Sequence, residues 1–263
     1  MSLLDRAIRS FNYSALWRHS VCVGPDRLHA PSLDRLVYLW LHKLRYRRNR
    51  DLEFFRQRLR PGMHVVDVGA NVGLYSHLFA RAVGGEGRVT AFEPDPVLFA
   101  AAAASIRANG LLNITVHPIA VGDKPGRGRL NRGFFNSGDN RLVAERQGPA
   151  AANAIDAQVC ALDDLLDDGP VDFVKIDVQG GEVNVLRGMA KTIEANPRLQ
   201  LFVELWPFGL RAAGTSTREL LDLVAAYGFK VDVCGHSGRP DTIDFEAMSK
   251  RMYWSTDIHA SRR

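Results

Sequence analysis

The feature that most constrains the fold is an alternation of short apolar segments with segments of helical periodicity, which begins after the turn pair Pro61–Gly62. This alternation predicts strands connected by helices, and therefore an α/β fold with a mostly parallel sheet. We predict seven strands, at residues 64–68, 88–93, 114–121, 171–178, 199–205, 229–234 and 253–259. Residues 235–252 show no strong helical pattern, so we expect the last two strands to form a C-terminal antiparallel hairpin that closes the sheet.

The first 60 residues differ from the rest in pattern and in charge. Apolar residues between positions 33 and 44 recur near the helical period, so we predict a helical extension over residues 1–60 that packs on a single domain, residues 61–263. The extension holds 13 Lys and Arg against 5 Asp and Glu, a net charge of +8, whereas the remainder holds 21 against 24, or −3. Its basic run RYRRNR (45–50) could contact a membrane surface, nucleic acid or another acidic partner, or could be a solvated helix face.

Composition narrows the class of protein. Hydrophobic residues make up 46% of the chain and charged residues 24%, which is typical of globular proteins. We find neither the roughly 18 consecutive apolar residues of a membrane span nor a secretory signal, and we expect a cytoplasmic protein with no transmembrane segment. Cys22, Cys160 and Cys234 are odd in number, far apart and lack metal-ligand spacing, which predicts buried free thiols.

The first strand of the alternation ends in a glycine-rich turn, within HVVDVGANVGLYSHLFA (64–80). Ligands of open parallel sheets lie beyond the carboxyl ends of the strands, so Gly69 and Gly73 are expected to form the floor of a pocket. The spacing G-A-N-V-G lacks the third glycine of a dinucleotide site, which weakens a nicotinamide-cofactor hypothesis. Asp67, just before the turn, disfavours a phosphate and favours a positively charged ligand.

The second strand ends in Glu93, 24 residues after Gly69, where a ribose-binding acid is expected in nucleotide-binding sheets. A carboxylate at this position can accept hydrogen bonds from both ribose hydroxyls. An alternative for Glu93 alone is a charge at a helix N-terminus before Pro94, and Asn71 could be only a turn residue. Taken together, the two acids and two glycines predict a nucleoside cofactor with a cationic group, such as S-adenosylmethionine.

Six motifs occur in an order typical of one known family. They are DVGANVGLYS (67–76), AFEPDP (91–96), IRANGLLN (106–113), LDDLL (162–166), VDFVKIDVQGGEVNVLRG (171–188) and LFVELWP (201–207). With them, residues 60 to 206 resemble the FkbM family of S-adenosylmethionine-dependent methyltransferases, most specifically in KIDVQGGE (175–182). The resemblance implies a Rossmann-like class I methyltransferase fold with a seven-stranded sheet. It also implies O-methylation of a hydroxyl on a sugar, glycan or secondary metabolite.

The resemblance also assigns roles to positions within these motifs. It places the cofactor's ribose at Glu93, and we expect its other contacts in the same motifs and in the segments that follow them. The predicted cofactor-binding residues are Asp67, Gly69, Ala70, Asn71, Gly73, Tyr75, Ser76, Glu93, Pro94, Ile119, Ala120, Val121, Ser137 and Asp177. Ile119, Ala120 and Val121 are expected beside the adenine. The family often has a small residue before the glutamate of its most specific motif, and Gly181 before Glu182 fits that pattern.

The predicted catalytic residues are the acids that end two later strands, Asp177 and Glu204, with His236 as a further candidate base. Methyl transfer to a hydroxyl needs alignment and removal of a proton, for which a carboxylate or histidine is suited. The two carboxylates could also share a Mg²⁺ ion. Alternatively, Asp177 accepts hydrogen bonds from a tight turn and Glu204 pairs with an arginine. Lys175 could face the same side, although such lysines commonly pair with a neighbouring acid.

Residues 123–158 interrupt the alternation and are expected to be irregular or hairpin-like. Within them, NRGFFNSGDNR (131–141) is rich in side chains that bind hydroxyl groups, which predicts that Asn136, Ser137 and Asp139 line the pocket. The alternative is an ordinary surface turn. Glu182 opens a helix, where a carboxylate is favourable regardless of catalysis.

Three other functions compete with O-methylation of a small-molecule or glycan acceptor. A nucleic-acid methyltransferase is encouraged by the basic extension, but the fourth predicted strand ends in IDVQGG (176–181) and not in the Asn/Asp-Pro-Pro-aromatic turn typical of base methylation, so we do not expect a nucleic-acid partner. An NAD-dependent oxidoreductase fails on the glycine spacing. A non-catalytic cofactor-binding assembly protein would keep Asp67 and Glu93 without turnover. Assembly into a homo-oligomer stays open.

Overall fold

The structure is a computed structural model that describes residues 19–45, 50–133, 140–144, 154–167, 169–234 and 255–262. The strands are β1 (His19–Val23), β2 (Asp26–Ala30), β3 (His64–Val68), β4 (Arg88–Phe92), β5 (Ile114–His117), β6 (Ala120–Gly122), β7 (Gly126–Asn131), β8 (Arg141–Ala144), β9 (Ile155–Ala161), β10 (Phe173–Ile176), β11 (Gln200–Leu205), β12 (Lys230–Cys234) and β13 (Thr256–Ser261). The helices are α1 (Leu33–Arg45), α2 (Arg50–Arg58), α3 (Leu74–Val83), α4 (Pro96–Ala108), α5 (Glu182–Arg187), α6 (Ala190–Ala195), α7 (Pro207–Ala212) and α8 (Thr217–Ala226).

The centre of the molecule is a seven-stranded sheet in the order β12-β13-β11-β10-β3-β4-β5. Strands β3, β4, β5, β10 and β11 pair in parallel, and β13 lies antiparallel between β11 and β12. The predicted mostly parallel sheet with a C-terminal antiparallel hairpin is confirmed. Because β3 occupies the middle of the sheet, all five of its residues are buried.

The two faces of the sheet pack against different helices. Side chains alternate between the faces of a strand, so Val66 and Val68 of β3 belong to one core cluster and Val65 to another. The first cluster contains apolar residues of α5 and α8, such as Leu186 and Leu220. The second contains aromatic residues of α2 and α3. Both faces are therefore covered, as a parallel sheet requires.

The segment predicted as one strand, residues 114–121, forms two strands in two sheets. Pro118 follows β5 and lacks the N–H needed to continue the ladder, so the pairing with β4 stops at His117. Strand β6 instead pairs in parallel with β9, which opens a four-stranded sheet in the order β6-β9-β7-β8. The expectation of a hairpin-like segment after residue 123 is met by the antiparallel pairs β7–β8 and β7–β9.

The extension contains strands as well as helices. The extension has helices at Leu33–Arg45 and Arg50–Arg58, as expected, but residues 19–30 are not helical, because β1 and β2 form an antiparallel hairpin there. Their alternation of buried and exposed residues and the turn at Gly24–Pro25 are the signals of this hairpin in the sequence. The hairpin contacts α4, where the N–H of His29 donates to Ser105 Oγ at 2.8 Å.

Two further expectations concern single features. Cys22, Cys160 and Cys234 are free thiols, as predicted, but the expectation that they are buried was wrong, because Cys22 is exposed and Cys160 and Cys234 are half-buried. No helix within the described residues combines the length and the apolar character needed to cross a bilayer.

Candidate functional site

A cavity of about 630 Å³ lies at the carboxyl ends of β3, β4, β10 and β11, with parts of its wall from α1 and the four-stranded sheet. This is the position expected for a ligand of an open parallel sheet. The structure brings eleven residues of the predicted site to its wall. They are Gly69, Ala70, Asn71, Tyr75, Glu93, Pro94, Ile119, Ala120, Val121, Asp177 and Glu204.

The turn after β3 is fixed by backbone contacts. The N–H groups of Gly69 and Ala70 both donate to the carbonyl of Phe92, at 3.0 and 2.9 Å. Gly69 has a φ of 86°, and a Cβ at this position would collide with the carbonyl oxygen of Asp177. Glycine is therefore required at position 69, because the backbone that follows the adjacent strand β10 approaches closely. The missing Cβ also lets a ligand approach the backbone of the turn. Gly73 also has a positive φ, 83°, and begins α3.

Glu93 is a buried carboxylate held by backbone amides. Its Oε2 accepts from the N–H of Asn71 and its Oε1 from the N–H of Asp95, both at 2.8 Å. Burial raises the pKa of Glu93 to about 7, with a further contribution from the charge of Asp95. Each oxygen keeps a further lone pair, so the carboxylate at the cavity wall can accept additional hydrogen bonds.

Asp67 lies behind the cavity wall and does not form part of it. Its carboxylate is fully buried, accepts from Ser76 Oγ at 2.6 Å, and forms an ion pair with Lys175 Nζ at 3.4 Å. Lys175 is its direct register partner on the adjacent strand β10. The Asp67 charge expected to face a cationic ligand is therefore balanced by a lysine. Gly73 and Ser76 likewise lie outside the cavity wall.

Lys175 also pairs with Asp177, with Nζ 3.3 Å from Oδ2. Burial alone would raise the pKa of Asp177. The nearby Lys175 charge and the hydrogen bonds from Gln179 and Lys175 outweigh that effect and lower it. In turn, the two carboxylates raise the pKa of Lys175 above its usual value, despite the opposing effect of its burial. Asp177 is therefore ionised at neutral pH beside a permanent cation.

Gln179 connects the two acids predicted to be catalytic. Its Nε2 donates to Asp177 Oδ1 at 2.9 Å and to Glu204 Oε2 at 2.6 Å. Gln179 is a non-glycine residue with a φ of 58°, a left-handed conformation that is uncommon for its type. Burial raises the pKa of Glu204 well above its usual value, and the charges of Asp177 and Glu182 add to the effect. The arrangement places an acid with a lowered pKa beside one with a raised pKa.

The two acids do not fit a Mg²⁺ ion. Their facing oxygens bind an N–H donor of Gln179, and the other Asp177 oxygen faces the Lys175 ammonium group. Within the described residues there is no cluster of three or more His, Cys, Asp or Glu side chains that could hold a metal. A hard divalent cation prefers several oxygen ligands and repels ammonium groups.

Glu182 is buried, and its carboxylate accepts hydrogen bonds from the turn before α5. Its Oε1 accepts from the N–H groups of Val178 and Gly180, at 3.2 and 3.0 Å. Burial raises its pKa to about 7. Glu182 opens α5, as expected, and lies outside the cavity wall.

Part of the cavity wall was missed by sequence reasoning. Arg35 and Tyr38 of α1 line it, and Arg35 Nη1 donates to Asn71 Oδ1 at 3.4 Å. Burial raises the pKa of Tyr38 to about 12. Arg35 and Tyr38 are three positions apart and therefore share one face of α1. This pair of polar side chains on one helix face was the only indication in the sequence that α1 contributes to the site.

The four-stranded sheet and the residue that follows β11 also contribute polar and aromatic side chains to the cavity wall. The Arg141 guanidinium lies 5.1 Å from the centre of the Trp206 ring, and both residues line the cavity. Asn140 Nδ2 donates to Asp95 Oδ2 at 3.1 Å, which ties this sheet to the start of α4. The predicted residues Ser137 and His236, like Asn136 and Asp139, lie outside the described residues.

Comparison with known proteins gives one family and several distant relatives. The family model described as "Methyltransferase FkbM domain" matches residues 67–231. "Methyltransferase sdnD" of Sordaria araneosa is 27% identical over 179 residues, which cover 56% of this chain and 68% of the relative. "31-O-demethyl-FK506 methyltransferase FkbM" of Streptomyces tacrolimicus is 31% identical over 165 residues, 50% of this chain and 61% of the relative. The matched part thus spans about two thirds or less of these curated relatives.

Among solved structures, an S-adenosylmethionine-dependent O-methyltransferase of Thermotoga maritima is similar with a TM-score of 0.49 and 16% sequence identity. The match covers 93% of this chain and 77% of that one.

Proposed function

Because the chain belongs to the FkbM methyltransferase family, we propose that it transfers the methyl group of S-adenosylmethionine to a hydroxyl of a sugar, glycan or secondary metabolite. The observation that carries this proposal is the shared cavity wall of Glu93 and Asp177. One acid is suited to bind a nucleoside and the other to accept a proton. We assign this activity to the domain formed by residues 61–263, with part of the wall supplied by α1.

The cofactor fits the corner between β3 and β4. Glu93 is oriented by two backbone amides and retains lone pairs for two ribose hydroxyls. Ile119, Val121 and Leu98 give this part of the wall an apolar surface suited to adenine. When bound, S-adenosylmethionine supplies an electrophilic methyl group. The role of the protein is to bind, align and exclude water.

Asp177 is the proposed general base. An acceptor hydroxyl that donates to the Asp177 carboxylate would lose its proton there as the methyl group passes from the sulfonium sulfur to the hydroxyl oxygen, and S-adenosylhomocysteine would leave. Lys175 holds Asp177 in its ionised form, so it is ready to accept that proton at neutral pH. Glu204 lies on the same cavity wall, where its carboxyl group can orient the acceptor through a hydrogen bond. This mechanism uses no metal ion.

Two measurements test the proposal. Calorimetry should detect binding of S-adenosylmethionine to the purified protein, and labelled cofactor should transfer its methyl group to one member of a panel of sugars and hydroxylated metabolites. NMR of the product then identifies the atom that carries the methyl group. A product with an N-methyl group or a methylated nucleic-acid base would contradict O-methylation. Absence of cofactor binding by folded protein would contradict the whole proposal.

A further inference from the structure

Helix α1 directs Arg35 and Tyr38 toward the cavity and leaves an apolar stripe on its outer side. Arg35 and Tyr38 line the cavity, and Arg35 is almost fully buried. On the opposite side, four large apolar side chains follow the i, i+3, i+4, i+7 spacing of a single helix face. We call them the outer stripe; their exposed fractions are 51% for Val37, 47% for Trp40, 46% for Leu41 and 73% for Leu44.

The outer stripe is unusual within this molecule. Over the described ranges, Leu112 is the only other large apolar residue that is strongly exposed. Single exposed apolar side chains are ordinary, but four on one helix face form a contiguous patch, and such patches mark interaction sites. The apolar residues of this helix were expected to pack on the main domain. Leu39 is buried as expected, but the described residues leave the outer stripe uncovered.

The stripe lies within the most basic part of the chain. Lys43 Nζ is 4.7 Å from the centre of the Trp40 ring, and Arg45, Arg47, Arg48 and Arg50 follow in the sequence. The first 60 residues carry 13 Lys and Arg against 5 Asp and Glu, a net charge of +8. An apolar helix face bearing tryptophan and leucine, in a sequence segment rich in basic residues, has the composition of a helix that lies in a membrane interface.

We propose that the outer stripe, with Lys43 beside it, docks the protein on the surface of a bilayer that contains anionic lipids. The apolar side chains would enter the boundary between headgroups and acyl chains, and the basic side chains would contact anionic headgroups. A second copy of this chain is a poorer partner, because it would bring two regions of like charge together. Nucleic acid would satisfy the basic residues and leave the outer stripe exposed to water.

The proposal is independent of the proposed enzymatic activity, because lipid binding is measured without methyl donor or acceptor. The full chain is mixed with phosphatidylcholine vesicles that contain either no anionic lipid or about one third phosphatidylserine, and bound protein is separated by flotation. We expect binding to the anionic vesicles, and weaker binding as salt rises. The double variant L41S/L44S should lose at least about tenfold in affinity, because two leucines no longer leave water.

The matched control is L112S, which removes a leucine that is more exposed than Leu41 or Leu44 and is not part of α1. It should bind the anionic vesicles like the unaltered protein. The variant K43S removes the described cation beside the outer stripe and should weaken binding to the anionic vesicles by about fivefold. Circular dichroism and thermal unfolding establish that each variant is folded.

Three results would overturn the proposal. One is a lack of binding to anionic vesicles by the unaltered, folded protein. Another is unchanged binding by L41S/L44S. The third is self-association without lipid, detected by analytical ultracentrifugation and abolished by L41S/L44S, which would show that the stripe is an interface between two copies.

Discussion

The two acidic corners of the cavity are built in different ways. Glu93, at the end of β4, is held by the backbone N–H groups of Asn71 and Asp95. Asp177, after β10, is held by the side chains of Lys175 and Gln179. Backbone donors are fixed by the fold, whereas side-chain donors carry their own charges and conformations. The position of Glu93, the first corner, therefore depends on the backbone geometry of the fold. The position of Asp177, the second corner, depends on the charges and conformations of neighbouring side chains, so substitutions should affect the two corners differently.

The largest expected effect is on turnover, at the second corner. Asp177→Asn removes the proposed base while keeping nearly the same shape, so kcat should fall by about 10² to 10⁴ fold. Cofactor affinity should change by less than about threefold, because Glu93 and its backbone donors are untouched. Steady-state kinetics and calorimetry on the same preparation give both values. Asp222→Asn, at an exposed acid of α8 that pairs with Arg218, is the control and should leave kcat unchanged.

An Asp177→Asn enzyme with normal kcat would remove Asp177 from the role of base. A large loss of cofactor affinity in that variant would show that the two corners are one unit, which would break the comparison.

The next effect is on stability. Lys175→Met leaves the fully buried Asp67 without its cation and removes the ion pair of the half-buried Asp177, which water can partly solvate. The free energy of unfolding should therefore fall by about 3 kcal/mol, mostly because of Asp67. Urea denaturation measures this change. Lys191→Met, at an exposed lysine, should change the free energy of unfolding by less than about 0.5 kcal/mol. Equal stability of the two variants would mean that the network around Lys175 is not held by charge.

A smaller effect is expected at the first corner. Glu93→Gln keeps an oxygen acceptor but loses the charge and one of the two acceptor atoms, so S-adenosylmethionine should bind about 10 to 100 fold more weakly. Calorimetry measures the affinity, and Glu86→Gln, at an exposed acid, is the control. At saturating cofactor the kcat of Glu93→Gln should stay within about threefold of normal. A variant that binds the cofactor normally would remove Glu93 from the ribose role.

The same difference explains what the sequence could and could not predict. The parallel sheet, its order of strands along the chain and the location of Gly69 and Glu93 at its carboxyl edge follow from local patterns. The pairing of Asp67 with Lys175 joins residues far apart in the chain and depends on which strands are neighbours and in what register. Without that register, Asp67 was predicted to face the ligand.

The extension shows a related limit. Helical periodicity identified α1, but periodicity alone does not tell which face of a helix meets the protein. The apolar stripe suggested packing inward, whereas the polar residues Arg35 and Tyr38 line the cavity. The β1–β2 hairpin was missed because five-residue strands carry a weak signal beside a longer helical segment.

The smallest effect is a pH dependence that distinguishes the corners. The pKa of Glu93 is raised to about 7 by burial, with Asp95 and Asp67 as the acids whose charges add to it. The ionised carboxylate is the better acceptor for ribose hydroxyls, so cofactor affinity should rise by up to about tenfold between pH 6 and pH 8. The α-amino group of the cofactor titrates in the same range, but it does so equally with every variant. The difference between the affinity curves of the unaltered protein and of Glu93→Gln therefore reports on Glu93 alone.

Glu182→Gln is the control: it removes a buried acid whose pKa is also about 7 but which lies off the cavity wall, so its affinity curve should follow that of the unaltered protein. If Glu93→Gln keeps the full pH dependence, the titrating group belongs to the cofactor or to the second corner, and the backbone-held acid is not the one that responds to pH.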